Sequence, residues 1–248
     1  GSIGSVLGPT VALGGTGWIA ADLLGLDELA GPFMMAIVVS AIAVVVVDRQ
    51  LRPDPLLLSQ QLDGAGAEQR DKPSLAESFG KLVTHRLAAI AVFAMAVGQG
   101  VMVAVMTVTP LHMDEGAHET RVIGLVISLH IVGMYFFSPL VGWLVDRLPV
   151  VLMVGAAGLI LFLGAEMASH TDPEDSLGVF VGLLLVGIGW SFAMISGSAL
   201  LTSAFSASER ASVQGAADFT MVASGATGGL LSGVIVEASS YHALSHLS

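Results

Sequence analysis

Long apolar runs alternate with short polar stretches along most of the chain. Each run has about 20 residues or more, which is the length that an α-helix needs to cross the hydrocarbon core of a bilayer. We predict a membrane-spanning helix for each of seven runs: residues 1–20, 29–47, 87–111, 122–145, 150–168, 177–205 and 211–236.

Helices are favoured over strands because a helix satisfies its own backbone hydrogen bonds in lipid. The runs are continuously apolar, whereas the strands of a membrane barrel alternate between apolar and polar residues. Composition agrees, since 54% of the residues are apolar and only 12% are charged, with a mean hydropathy of +0.83. The predicted fold class is therefore an all-α polytopic membrane protein.

Basic residues are concentrated on one side of the predicted membrane. Eight of the nine Lys and Arg residues lie there: Arg49, Arg52, Arg70, Lys72, Lys81, Arg86, Arg147 and Arg210. Short loops rich in Lys and Arg stay in the cytoplasm. We therefore expect this side, including the loop 48–86, to be cytoplasmic.

The remaining composition excludes several classes of function. A net charge of −11 without a basic cluster argues against nucleic acid as a partner, because phosphate contacts need clustered Lys and Arg. The chain has no cysteine, which excludes disulfides, thiolate catalysis and cysteine-based metal sites. A lipid bilayer is the expected environment.

The loop 48–86 is much longer than the other connections and has the composition of a linker. It contains RPDP (52–55) and GAGAEQRDKPS (64–74), which are rich in proline, glycine and polar residues. We predict three parts: helices of one bundle in 1–47, a central cytoplasmic linker in 48–86, and a second bundle in 87–248.

Four short motifs resemble those of the major facilitator superfamily. GWLVDR (142–147) resembles its G-x-L-x-D-R signature, and TPLHM (109–113) and SVQGAADF (212–219) are similar to segments of bacterial members. GSVLGP (4–9), followed by a glycine pair, resembles the fifth-helix motif of proton-coupled exporters, with four residues rather than two before the pair. The motif residues are Gly4, Gly8, Pro9, Gly14 and Gly15.

The resemblance covers the chain as helices five to eleven of a twelve-helix fold. It implies that 1–47 holds the last two helices of the N-terminal bundle and that 87–248 is a C-terminal bundle without its final helix. The missing helices of the same polypeptide are then expected partners, in a bacterial plasma (inner) membrane. The implied function is transport of a small solute by alternating access, coupled to protons, with export as the direction and no bound cofactor.

The resemblance also implies a cytoplasmic gate at Gly142, Asp146 and Arg147. Asp146 is expected to accept hydrogen bonds from the first amides of the following helix, where the dipole favours an anion. Arg147 is expected to reach the lipid headgroups or a carboxylate. Gly142 would allow close helix approach. The alternative is that the charged pair only marks the membrane boundary.

Polar side chains within the predicted spans are candidates for the solute or proton pathway, because burying an ionisable group in hydrocarbon is costly. They are Gln99, His130, Gln214 and Asp218, with Asp218 and then His130 as proton sites. The alternatives are an interhelical hydrogen bond for Gln99, a packing role for His130 and a position at the cytoplasmic interface for Asp218.

Small residues form a stripe in the last span, where Gly225, Gly229 and Gly233 recur every four residues beside Ser224, Gly228 and Ser232. Such a face allows a neighbouring helix to approach closely. Its role is either ordinary packing or a sliding surface for conformational change.

Metal binding and catalysis are two further alternatives. One outer loop is rich in possible ligands, without the spacing of a zinc helix: His112, Asp114, Glu115, His118 and Glu119. GWSFA (189–193) lacks the final glycine of a serine nucleophile motif. We predict neither a metal site nor an enzyme. A non-transporting membrane scaffold or sensor of similar architecture remains the alternative function.

Overall fold

The computed structural model describes residue 25 and residues 30–52, 74–172 and 175–238. In these residues the secondary structure is helical and contains no strand, as the sequence predicts. The helices are α1 Ala30–Gln50, α2 Leu75–Thr84, α3 Arg86–Glu115, α4 Thr120–Tyr135, α5 Ser138–Val145, α6 Val150–Ser169, α7 Ser176–Ala204 and α8 Ala207–Ala238.

Five spans in the described residues are long and apolar enough to cross a membrane: Arg86–Glu115, Val122–Val145, Val150–Ser169, Leu177–Ala204 and Glu209–Val236. They confirm the last five predicted spans. The predicted span 29–47 coincides with helix α1. The predicted span 1–20 lies outside the described residues, together with all five residues of the fifth-helix motif.

Two compact units divide the chain. Helix α1 belongs to a unit that covers Thr10–Lys72, and helices α2 to α8 belong to the unit that contains Pro73–Ser248. At the end of α1, Arg52 donates hydrogen bonds of 2.8 and 3.0 Å to the two carboxylate oxygens of Asp48.

The end of the predicted linker is a folded helix, α2. Ser74 caps it by accepting a 3.2 Å hydrogen bond from the Glu77 amide, and Leu82 is 2% exposed in a core shared with α3, α7 and α8. The apolar spacing of Leu75, Phe79 and Leu82 is that of one helix face. Helix α2 therefore packs as part of the compact unit that contains the second bundle.

Helix α7 is the centre of the second bundle and packs against α3, α4 and α6. Glycines allow close approach at two of these contacts. A Cβ on Gly187 of α7 would collide with the carbonyl oxygen of His130 in α4, and a Cβ on Gly164 of α6 would lie 2.7 Å from the Val186 amide nitrogen. Helix α8 packs mainly on α3.

The span 122–145 is broken between α4 and α5 by Pro139. Proline has no amide hydrogen to donate to the preceding turn, so the helix restarts at Ser138. The Ser138 hydroxyl compensates by donating a 2.9 Å hydrogen bond to the carbonyl oxygen of Met134. The break lies past the midpoint of the span, between a helix of 16 residues and one of 8.

The antiparallel order of the spans brings the basic ends together. Lys81 forms a 2.9 Å ion pair with Glu209, and the ring of His85 lies 5.4 Å from that of Phe205, so the start of α3 meets the turn between α7 and α8. At the opposite end, Nε2 of His112 donates a 3.2 Å hydrogen bond to the carbonyl oxygen of Thr171.

Candidate functional site

Four residues from four helices meet in the middle of the second bundle, and we call them the midplane cluster: Gln99, Tyr135, Trp190 and Gly225. The indole nitrogen of Trp190 donates a 2.8 Å hydrogen bond to Oε1 of Gln99. The Tyr135 ring meets Trp190 edge-on, with centroids 5.9 Å apart. A Cβ on Gly225 would lie 3.3 Å from Cγ of Gln99.

The midplane cluster lies near the middle of the membrane-spanning helices. Gln99, Trp190 and Gly225 are near the midpoints of α3, α7 and α8, and Tyr135 is near the midpoint of the span Val122–Val145. The three side chains are half-buried, and none is charged at neutral pH. Such a group is suited to hydrogen-bonding and stacking against an uncharged molecule.

A second polar group joins α7 to α8 on the basic side of the midplane cluster. Nε2 of Gln214 donates a 2.9 Å hydrogen bond to Asp218, and the Ser198 hydroxyl lies 3.5 Å from Oε1 of Gln214. Asp218 is exposed in the described chain. It precedes Gly225 by seven residues, which is about 10 Å along a helix.

His130 lies apart from the Asp218 group. It is 2% exposed, and its Nδ1 donates a 2.8 Å hydrogen bond to the carbonyl oxygen of Leu183. Within the described residues its Nε2 has no hydrogen-bond partner. The structure thus gives His130 a packing contact between α4 and α7.

The three gate residues lie around the turn between α5 and α6, on the basic end of the bundle. Asp146 ends α5 and is exposed. The guanidinium of Arg147 stacks on the ring of Trp143, 4.0 Å from its centroid. A Cβ on Gly142 would have nothing within 4 Å.

Two expected contacts of the gate are not seen in the described part of the chain. The Asp146 carboxylate has no hydrogen bond or ion pair there, including to the first amides of α6. The expected close approach at Gly142 is likewise not made to any described neighbour.

The small-residue stripe contacts α3 through both of its rows. The Ser224 hydroxyl donates a 2.7 Å hydrogen bond to the carbonyl oxygen of Ala96, and a Cβ on Gly228 would lie 2.5 Å from the carbonyl oxygen of Gly100. A Cβ on Gly233 would meet nothing within 4 Å. A Cβ on Gly225 or Gly229 would lie 3.2 or 3.3 Å from Val103 of α3, so the glycine row is also part of the contact.

The geometry gives no support to a serine nucleophile. Ser191 is 1% exposed, and its hydroxyl lies 3.3 Å from that of Ser138. His130, the buried histidine that such a serine could use as a base, is bonded to Leu183, about 12 Å along α7 from Ser191. In the described residues, no three His, Cys, Asp or Glu side chains come together as metal ligands.

Sequence reasoning missed Tyr135, Trp190 and Ser198. Trp190 had the clearest signal, because a tryptophan in the centre of an apolar span must bury an N–H donor and therefore needs an acceptor nearby. Gln99 was the obvious acceptor by height in its helix. Only the packing of α3 against α7 shows that the two are paired.

Comparison with known proteins agrees with this architecture. The Major Facilitator Superfamily profile matches residues 1–229. The uncharacterized MFS-type transporters YdeG and YddS of Bacillus subtilis are 41% identical over 90% of this chain and 38% identical over 98% of it. These matches cover 51% of YdeG and 56% of YddS. The chain thus spans about half the length of these curated relatives.

A third relative is more distant. The riboflavin transporter RfnT of Brucella anthropi is 29% identical over 147 residues, which are 59% of this chain and 36% of RfnT. No solved structure gives a significant match. The family profile, the two Bacillus relatives and the five spans agree, and the chain belongs to the Major Facilitator Superfamily of multi-pass membrane transporters.

Proposed function

We propose that this protein is a proton-coupled secondary transporter that exports a small solute by alternating access. The observation that carries the proposal is the midplane cluster: an uncharged, aromatic and hydrogen-bonding group near the middle of the membrane-spanning helices, built from four helices. Transporters of this architecture bind solute near the midplane, between two bundles that rock about it.

Asp218 is the proposed proton site. Within the described membrane spans it is the carboxylate that lies furthest from the helix ends, and Gln214 already donates a hydrogen bond to it. A carboxylate in this setting loses its charge on protonation, which changes the cost of exposing it to lipid or to a closed cavity. His130 is the weaker candidate because its Nδ1 is bonded to the α7 backbone.

The proposed solute is uncharged and aromatic. The midplane cluster holds no charged group to pair with an ion, and its two rings offer surfaces for stacking. The relative RfnT is named as a riboflavin transporter. Riboflavin is therefore a suitable first probe, since its ring system is flat and uncharged at neutral pH.

The cytoplasmic side is proposed to be the end that carries Lys81, Arg86, Arg147 and Arg210. The positive-inside rule supports this assignment. The bacterial origin of the Bacillus relatives supports a plasma-membrane location. Asp146, exposed and without a described partner, is then available to contact another part of the protein when the cytoplasmic side closes.

The test uses inverted membrane vesicles that contain the complete gene product. We expect an inside-acid pH gradient to drive accumulation of riboflavin, or of another uncharged aromatic solute in a screened panel, above the level in vesicles without the protein. Asp218→Asn should reduce gradient-driven accumulation to background while solute exchange without a gradient continues. The reason is that asparagine cannot exchange a proton.

Asp114→Asn is the matched control, because Asp114 is exposed at the C-terminal end of α3, away from the midplane cluster. It should behave like the wild type. Gradient-driven accumulation that survives in Asp218→Asn would contradict the proton role. The absence of solute-dependent flux across the panel would favour the alternative, a membrane scaffold or sensor.

A further inference from the structure

We infer that Trp190 fixes the side-chain amide of Gln99, so that the midplane cluster offers a hydrogen-bond donor to the solute. The site thereby selects flat, uncharged aromatic molecules that carry an acceptor such as a ring carbonyl. This inference rests on the proposed role of the midplane cluster as the solute site. It specifies that the site donates a hydrogen bond to the solute, and it assigns Trp190 a positioning role.

The direction follows from the chemistry of the two groups. An indole nitrogen only donates, whereas a glutamine amide has one oxygen that accepts and one nitrogen that donates. The 2.8 Å contact from Trp190 must therefore engage Oε1 of Gln99. The amide cannot turn over without placing two donors against each other.

The nitrogen of the same amide is left available. In the part of the chain that the structure describes, Nε2 of Gln99 has no hydrogen-bond partner, and the side chain is only half-buried. It faces Gly225, where a Cβ would lie 3.4 Å from Nε2. The same Cβ would lie 3.2 Å from Cγ2 of Val103, so glycine at this position avoids further crowding of the donor.

The aromatic groups define the shape of the molecule that would use this donor. Tyr135 and Trp190 meet at an interplanar angle of 66°, so their ring faces are not stacked on one another. A flat solute can stack on one of these faces while its edge reaches Nε2 of Gln99. The preferred solute therefore has its acceptor at the edge of a ring system.

Three tricyclic probes of one shape separate the possible outcomes: 9-fluorenone carries a carbonyl acceptor, carbazole an N–H donor and fluorene neither. Binding is measured by equilibrium dialysis to the complete gene product in lipid nanodiscs, with empty nanodiscs subtracted. A net hydrogen bond predicts that wild-type protein binds 9-fluorenone roughly 5-fold more tightly than fluorene. Carbazole should bind no better than fluorene.

Two variants test the positioning role. Trp190→Phe removes the donor that holds the amide, so carbazole should gain affinity while 9-fluorenone keeps most of its own. Gln99→Glu replaces the donor by an acceptor, so the preference should reverse in favour of carbazole. A merely structural role for Trp190 would weaken all three probes equally.

Gln50→Glu, the same change at an exposed position at the end of α1, is the control and should keep the wild-type preference. Thermal unfolding checks that each variant is folded. Equal binding of the three probes to the wild type, or no binding of any, would overturn the inference. The flux measured in inverted vesicles decides separately whether the protein transports.

Discussion

At the scale of single residues, the role of a polar side chain becomes clear once its hydrogen-bond partner is known. Gln99 was a polar residue in an apolar span, with an interhelical hydrogen bond and a solute contact as competing explanations. The structure supplies the interhelical bond to Trp190 and also leaves one end of the amide unpaired among the described residues. The two explanations are therefore compatible, because the amide has two ends.

Asp146 offers a prediction at this scale. Its carboxylate is exposed and makes no hydrogen bond or ion pair in the described chain, so Asp146→Asn removes no such interaction. We expect the thermal unfolding midpoint to stay the same while solute flux slows by roughly tenfold, as expected for the loss of a charge-assisted hydrogen bond that forms during the cycle.

Flux and thermal unfolding are measured on the same vesicle preparation, with Asp114→Asn as the control. An unchanged flux in Asp146→Asn would show that the aspartate only marks the membrane boundary. A lowered unfolding midpoint would instead point to a structural contact.

At the scale of elements, close packing of α8 on α3 depends on individual small residues. The four-residue repeat of glycine correctly indicates a helix face that a neighbour approaches. It does not indicate which of two adjacent rows comes closest, because rows one residue apart differ by about 100° around the helix. Both rows face α3, and the closest backbone contacts are at Ser224 and Gly228.

Two glycines of α8 provide a matched pair for a stability prediction. Gly228→Ala places a Cβ 2.5 Å from the Gly100 carbonyl oxygen, so the helices must move apart, whereas Gly233→Ala meets nothing within 4 Å. We expect the first change to destabilise the protein by about 1–3 kcal/mol. The second should be neutral or slightly stabilising, since alanine is the better helix former.

The measurement is the midpoint of thermal unfolding in one detergent or lipid. Equal midpoints for the two variants would show that α3 and α8 are not packed as closely as described here.

Helix α2 illustrates a limit of linker composition as a signal. Its neighbours in the sequence are polar and rich in proline and glycine, and the helix is only 10 residues long. Its capping serine and its spaced apolar residues were present in the sequence. Its burial against α3 and α8, with the ion pair from Lys81 to Glu209, is a tertiary feature.

At the scale of the whole molecule, the charge distribution predicts the orientation in the membrane. The chain has no cysteine, so single cysteines can report on each side. We expect Leu148→Cys, in the turn between α5 and α6, to react with a membrane-impermeant maleimide only from the cytoplasmic side. Asp114→Cys, at the other end of the bundle, should react only from outside.

The reaction is followed in right-side-out and inverted vesicles, with the protein before cysteine substitution as the blank. The reverse pattern of labelling would invert the proposed topology and, with it, the direction assigned to export.

The sequence by itself determined the helical class, the positions of the last five spans and the family, because these depend on hydrophobic runs and local motifs. The tertiary structure decided which polar residues meet. It paired Gln99 with Trp190, placed Ser198 beside Gln214, and directed His130 to the α7 backbone. These partners depend on the rotation and depth of each helix against its neighbours. Small residues at the helix contacts set that rotation and depth, and the hydrophobic pattern does not specify them.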